Sequence, residues 1–147
     1  MSDLSNTQHP FDVDTFLTRP LVARVATTNA SGAPTVRPVW FLWEKGLLWW
    51  ITGEYALISQ HLERDARTAV VVDTCDLKRQ EYLQVIMRGT AEVVPFDPAL
   101  ARRKLRRYLG EDENAWHPDF RHYANDARLV RFTPERTVVK DLSKTMP

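Results

Sequence analysis

Residues 82–94 alternate apolar and polar side chains more regularly than any other part of the chain. Leu83, Val85, Met87, Ala91 and Val93 fall on one side, and Gln84, Arg88, Thr90 and Glu92 on the other. Successive strand residues point to opposite faces, so this segment reads as a long strand with one dry face and one wet face. Pro95 ends it.

A lone strand of this kind is not stable, and the sequence supplies its neighbours. Residues 21–28 (LVARVATT), 35–44 (TVRPVWFLWE), 47–52 (LLWWIT) and 68–74 (TAVVVDT) are dense in β-branched and aromatic residues, which suit a pleated, half-buried surface. Asn29-Ala30-Ser31-Gly32-Ala33-Pro34 is rich in turn formers and closes a hairpin, and Lys45-Gly46 makes a tight turn. Residues 129–132 and 137–141 read as late strands flanking a Pro134-Glu135 turn.

Helices interrupt this series. Residues 12–18 predict a short helix with Phe11, Val13, Phe16 and Leu17 inward. Residues 56–65 place Leu57, Ile58, His61 and Leu62 on one helical face. Residues 98–109 have clear start and stop signals: Asp97 as N-cap, Pro98 at the first helical position and Gly110 just past the end. Ala101, Leu105 and Tyr108 form that helix's apolar stripe, and residues 116–125 predict a second short helix. Residues 1–10 read as a loose N-terminal arm. The order is not the strict strand–helix alternation of a doubly wound fold. It predicts a mainly β fold with peripheral helices, an antiparallel sheet closed into a barrel so that its edges disappear.

Composition sets the outer bounds. A chain of 147 residues is about one domain long and buries roughly 70% of its unfolded surface without covalent staples. Cys75 is the only cysteine, which points to a reducing compartment. Residues 1–20 hold no long apolar run and contain Asp3, Asp12 and Asp14, so no secretory leader is expected. No segment approaches the ~18 apolar residues that a membrane span needs. The expected location is cytoplasmic. A net charge of +1 gives no overall pull toward nucleic acid or membrane.

Several chemistries are missing. There is no phosphate-binding glycine loop, no zinc-spaced cysteine or histidine set and no G-x-S-x-G turn. His9, His61, His117 and His122 are scattered. Cys75 lies near Asp73 and Asp76, which disfavour its thiolate. Three features remain. Trp40, Phe41, Trp43, Trp49 and Trp50 fall within eleven positions and, by strand alternation, must line both faces of the sheet. One face is core; the other needs a partner subunit, a flat ring ligand or a shielding helix. Pro38 lacks an N–H, so pairing should be interrupted around Arg37-Pro38-Val39, where a ligand could meet the backbone and Arg37. Arg102, Arg103, Arg106 and Arg107 share a face of helix 98–109, with Lys104 to the side. That face reads as solvated rather than as a nucleic-acid surface.

The order TT-NASGAP-TVRPVWFLW-EKG-LLWWITG, then HLERDARTAVVVD, then LQVIMRGTAEVV resembles the pyridoxamine 5′-phosphate oxidase-like split barrels, and within them the small flavin- and deazaflavin-dependent oxidoreductases. The resemblance spans about residues 21–141 and implies a single split-barrel domain over residues 1–147. It implies a homodimer with FMN or the deazaflavin coenzyme F-420 in clefts between subunits, which would cover the aromatic face. The implied activity is an oxidoreductase acting on a small organic substrate. The alternative is a non-catalytic protein of this fold binding flavin, haem or another flat ligand. Carried over by position, Arg37, Pro38, Val39 and Trp40 would lie along the ring and ribityl chain, as would Gln84. Trp50, Ile51 and Thr52 would lead to the phosphate, followed by Gly53. One departure stands out. Similar proteins often place a serine and a lysine in the helix after the third strand, where this chain has Ala56 and Ile58, and an arginine where it has Glu54. The phosphate would then need other groups: Ser59, Gln60, Lys78, Arg79 or an arginine from the partner. Tyr55, Tyr82 and Arg88 are the only candidate hydrogen-bond donors for substrate, and no general acid or base stands out.

Overall fold

The computed structural model describes residues 9–144, so most of the expected arm at residues 1–10 lies outside the described residues. In chain order the elements are α1 (Val13–Phe16), β1 (Val22–Thr28), β2 (Pro34–Trp40), β3 (Leu42–Glu44), β4 (Leu47–Gly53), α2 (Leu57–Arg64), β5 (Arg67–Asp73), β6 (Leu83–Pro95), α3 (Pro98–Leu109), two 3-10 turns (Glu113–Ala115 and Pro118–Arg121) and β7 (Ala127–Asp141).

All strand pairs are antiparallel, in the order β2-β1-β5-β6-β7-β4-β3. The two edge strands, β2 and β3, are separated in sequence only by Phe41. Opposite edges joined by one residue force the sheet to curl round on itself. The closure is made by the chain rather than by a hydrogen-bonded ladder, which is a split barrel.

Phe41 also corrects the expectation of one strand over residues 35–44. The run stays extended but changes partner: Trp40 pairs with Val22 of β1, and Leu42 with Trp49 of β4. The interruption falls here and not at Pro38, which keeps register with Arg24. As β2 is an edge strand, it tolerates a proline. The backbone groups of Phe41 are taken up by α3. The Phe41 N–H donates to the Tyr108 hydroxyl (3.0 Å), which itself donates to the Leu21 carbonyl (2.7 Å). Arg107 donates to the Phe41 carbonyl and to those of Leu17 (2.9 Å), Thr18 (3.2 Å) and Arg19. A strand break is affordable only when its polar groups are paired, and these two residues pair them.

The late strands also differ from expectation. Residues 129–132 and 137–141 belong to one strand, β7, with no turn at Pro134-Glu135. Arg88 pairs with Arg136 and Gly89 with Pro134, so Glu135 is an extra residue in a bulge. A bulge accommodates proline, which is why the turn signal misleads. Gly89 is required there, because a Cβ would collide with the Thr133 carbonyl oxygen. The expected helix over residues 116–125 is replaced by the 3-10 turns at Glu113–Ala115 and Pro118–Arg121.

Two apolar layers form. Inside the barrel lie Val25, Phe41, Trp43, Leu48, Trp50, Val70, Met87 and Phe132, closed at one end by Ile58 and Leu62 of α2. Leu57 is the exception to the expected helical face: it is 67% exposed, and Ser59 is buried instead. Outside the barrel, Leu42 and Leu129 pack with Trp49, Ile51, Val94 and Phe96 against Leu100 of α3. Helix α3 starts as predicted, with the Asp97 carboxylate accepting from the Ala99 and Leu100 N–H groups, and ends at Gly110 with φ 95°. Its face toward the sheet answers the question of cover: Trp40 stacks on Tyr108 at 4.5 Å between ring centroids. Within the chain, helix α3 shields this side of the tryptophan-rich strands. No helix among the described residues is long and apolar enough to cross a membrane.

Candidate functional site

The split lies between the edge strands β2 and β3, which part on either side of Phe41 and leave β4 behind β3. Strand alternation divides the residues implied by the resemblance between two sides of the wall. Arg37, Val39, Trp50 and Thr52 turn toward the barrel interior, whereas Pro38, Trp40, Ile51 and Gly53 turn outward.

On the β2 side, a polar chain runs along the mouth of the barrel. His61 Nδ1 of α2 lies 3.3 Å from the Thr27 hydroxyl, which lies 3.0 Å from the Thr35 hydroxyl. Arg37 donates to that Thr35 oxygen at 3.4 Å. The Arg37 Nε is buried and has no hydrogen-bond partner. An unmet cationic donor at the mouth of a split is a ready anion ligand. On the β4 side, Ser59 donates to the Gly53 carbonyl (2.6 Å) and lies 3.4 Å from the Thr52 hydroxyl. Ala56 begins α2 without a side-chain cap, so its first N–H groups form a second anion-accepting feature beside Ser59.

The helix contributes no cation of its own here. The Ile58 side chain is 4% exposed in the barrel core, and Ala56 packs against that core. Glu54 is tied to Arg128 at 3.1 Å. Gln60 donates to the Tyr55 carbonyl (3.3 Å). The Asp76 carboxylate accepts from the Lys78 and Arg79 N–H groups at 3.1 Å, in the turn between β5 and β6. Val39 packs on the core and Trp50 is sealed inside it at 1% exposure, so the indole of Trp50 cannot reach a ligand. Gly53 pairs with Ala127, and a Cβ there would come within 2.9 Å of the Asp126 carboxylate. Gln84 stands apart on β6, with β1 and β5 between it and β2, and donates to the Tyr82 hydroxyl (3.0 Å). A single chain does not bring Gln84 to Arg37.

The outer face of the sheet carries an apolar row. Val71, Ile86 and Val138 are paired side by side across β5, β6 and β7, and Val138 is 38% exposed. Val36 on β2 is 70% exposed. The basic face of α3, by contrast, is largely spoken for. Arg103 pairs with Glu44 (2.8 Å), Arg106 with Glu113 (3.0 Å), and Arg107 holds the carbonyls around the strand break. Burial pushes the Arg107 guanidinium down from its ordinary range, and pushes the Tyr108 hydroxyl up.

Sequence reasoning missed the Thr27–Thr35–His61 chain and the roles of Arg107 and Lys104. For Lys104 a signal existed. It shares a helical stripe with Leu100, Ala101, Leu105 and Tyr108, and it is buried with them.

Known proteins share this architecture. The family model for pyridoxamine 5′-phosphate oxidase matches residues 12–140. A conserved hypothetical protein from Mycobacterium tuberculosis superposes with a TM-score of 0.76 at 21% identity, covering 97% of this chain and 92% of that one. An F-420 reductase superposes with a TM-score of 0.65 at 26% identity, covering 88% of this chain and 98% of the other. HutZ, a haem storage protein from Vibrio cholerae, gives a TM-score of 0.65 at 15% identity over 88% of this chain and 91% of its own. No curated protein sequence matches this one significantly.

Proposed function

The chain belongs to the pyridoxamine 5′-phosphate oxidase family, and from that premise we propose that it is an oxidoreductase using FMN or coenzyme F-420, acting on a small organic substrate in a cleft between two copies of the chain. The observation that carries this reading is the buried, unpartnered Nε of Arg37 at the mouth of the split. The family match and the similarity to an F-420 reductase support it.

When bound, the ring supplies the hydride chemistry. The chain's own task is to bind, orient and keep out water. Arg37 holds an anionic or carbonyl oxygen of the group, oriented by its hydrogen bond to Thr35. The uncapped start of α2, with Thr52 beside it, receives the phosphate, and the buried Ser59 ties that helix start to β4 through the Gly53 carbonyl. These residues fit one phosphate held by one arginine and a helix end, and Ile58 removes the second cation. The exposed edge of β2 leaves backbone groups of residues 37–39 available to the ring. The apolar row of Val71, Ile86 and Val138 forms a subunit contact, and Gln84 serves the site of the other copy.

The test is a fluorescence titration of FMN and of F-420 with the purified full-length chain. Saturable quenching of one of them is expected, with affinity falling about tenfold in Arg37→Ala, which removes a charged hydrogen bond. If neither is quenched, the oxidoreductase reading fails. The loss of the helix cation at Ile58 favours a second reading, a non-catalytic carrier of a flat ligand. A Soret band on adding haemin would select it.

A further inference from the structure

Lys104 is 6% exposed. Among the described residues its ammonium has no hydrogen bond and no ion pair, and the only charge acting on it is that of Arg107, which repels it. Three other cations of α3 have counterparts: Arg103 has Glu44, Arg106 has Glu113 and Arg107 has four carbonyls. An ammonium so largely stripped of water and without an anion is costly, and an apolar side chain of the same length would fill the place more favourably. A cation in that position suits a site whose counter-charge arrives with a ligand.

The space for one adjoins it. A cleft of about 270 Å³ opens between α3, the outer face of the sheet and the Pro118–Arg121 turn. Trp40, Ile51, Leu105, Phe120 and Tyr123 line it together with Lys104. One wall is a stack of aromatic rings. The Trp40 ring is fixed against Tyr108 and lies nearly parallel to Phe120, at 13° and 6.0 Å between centroids. Asp119 and His122 also line the cleft. The Asp119 side chain is 87% exposed and 3.5 Å from His117, so its charge is screened by water and leaves Lys104 dominant inside. The volume sits just under the usual range for ligand clefts, about 300–1,000 Å³, and suits one ring rather than a fused system.

We propose that this cleft binds a small monocyclic aromatic carboxylate, with its ring among the apolar side chains of Leu105, Phe120, Tyr123 and the free edge of Trp40 and its carboxylate on the Lys104 ammonium. The site is separate from the mouth of the split, where Arg37, Thr52 and Ser59 face inward. It therefore goes beyond the cofactor reading and gives Trp40 and Ile51, on the outer face, a ligand of their own.

The test uses the full-length chain with benzoate as probe, followed by saturation-transfer NMR and by the Cε resonances of the lysines. Saturable benzoate binding is expected, with one lysine resonance shifting, and that resonance should be missing in Lys104→Met. Benzamide and acetate should each bind at least about tenfold more weakly, as each lacks half of the recognition. Lys104→Met keeps the packing of the stem, and its fold is checked by circular dichroism. It should lose at least about tenfold in benzoate affinity while leaving the FMN and F-420 titrations unchanged. No saturable benzoate binding, equal binding by Lys104→Met, or benzamide binding as tightly as benzoate would each overturn the proposal.

Discussion

Strands β3 and β4 face two layers, built from alternate residues of the same short segment. Trp43, Leu48 and Trp50 enter the barrel, while Leu42, Trp49 and Ile51 face α3. The inner layer is dry and tightly closed. Its largest members, Trp50, Phe41 and Phe132, are all under 2% exposed. The outer layer holds a buried ammonium, a guanidinium clamp and an open cleft. The difference is one of geometry. A curled sheet seals its concave side by its own curvature and needs only α2 as a plug. Its convex side depends on a single helix, and one cylinder laid on a curved wall leaves gaps. Long cationic side chains reach across those gaps.

The comparison can be broken first on the inside. Phe132→Ala opens a cavity in a closed apolar layer and should cost about 3–5 kcal/mol in urea unfolding. A loss below about 1.5 kcal/mol would mean that the interior is no better packed than the outer layer. The outer layer should respond with the opposite sign. Burial, with repulsion from Arg107, lowers the Lys104 pKa from 10.5 to about 8. Below that value the folded chain carries a charge that the unfolded chain carries in water at no cost. Lys104→Met should therefore stabilise the ligand-free protein by about 3 kcal/mol at pH 7. The gain should fade as pH rises from about 8 toward 10.5, where both states of the wild type lose the proton. Thermal melts of both proteins at pH 7 and pH 10.5 check it, and a destabilised variant at pH 7 would refute the account. The smallest effect belongs to the rim. Arg103 is paired with Glu44, but its side chain is 43% exposed. Arg103→Ala should cost less than about 1 kcal/mol, and the cost should shrink in high salt.

The strands were legible because their cause is local. Alternation over residues 82–94, the Lys45-Gly46 turn and the Asp97-Pro98 helix start all emerge where the sequence puts them. The errors share one physical source. Pro134 looks like a turn because proline lacks a donor, but only the register of β6 against β7 reveals a bulge that needs none. Residues 35–44 look like one strand because Phe41 is as extended and apolar as its neighbours. Only the closure of the sheet makes it the point where the pairing partner changes. Of the site, Arg37 was named from the sequence, but its orphaned Nε and its link through Thr35 and Thr27 to His61 depend on residues far apart in the chain.

The tryptophans show the division most clearly. By itself the sequence determined that five aromatic residues between positions 40 and 50 must line both faces of a sheet, because side-chain alternation is a property of the backbone. It could not determine what covers the second face, because cover is a matter of which distant segment arrives there. The tertiary structure brings α3. With it come Tyr108 on Trp40, Arg107 on the Phe41 carbonyl, and Lys104 into a buried place where, among the described residues, no anion meets it.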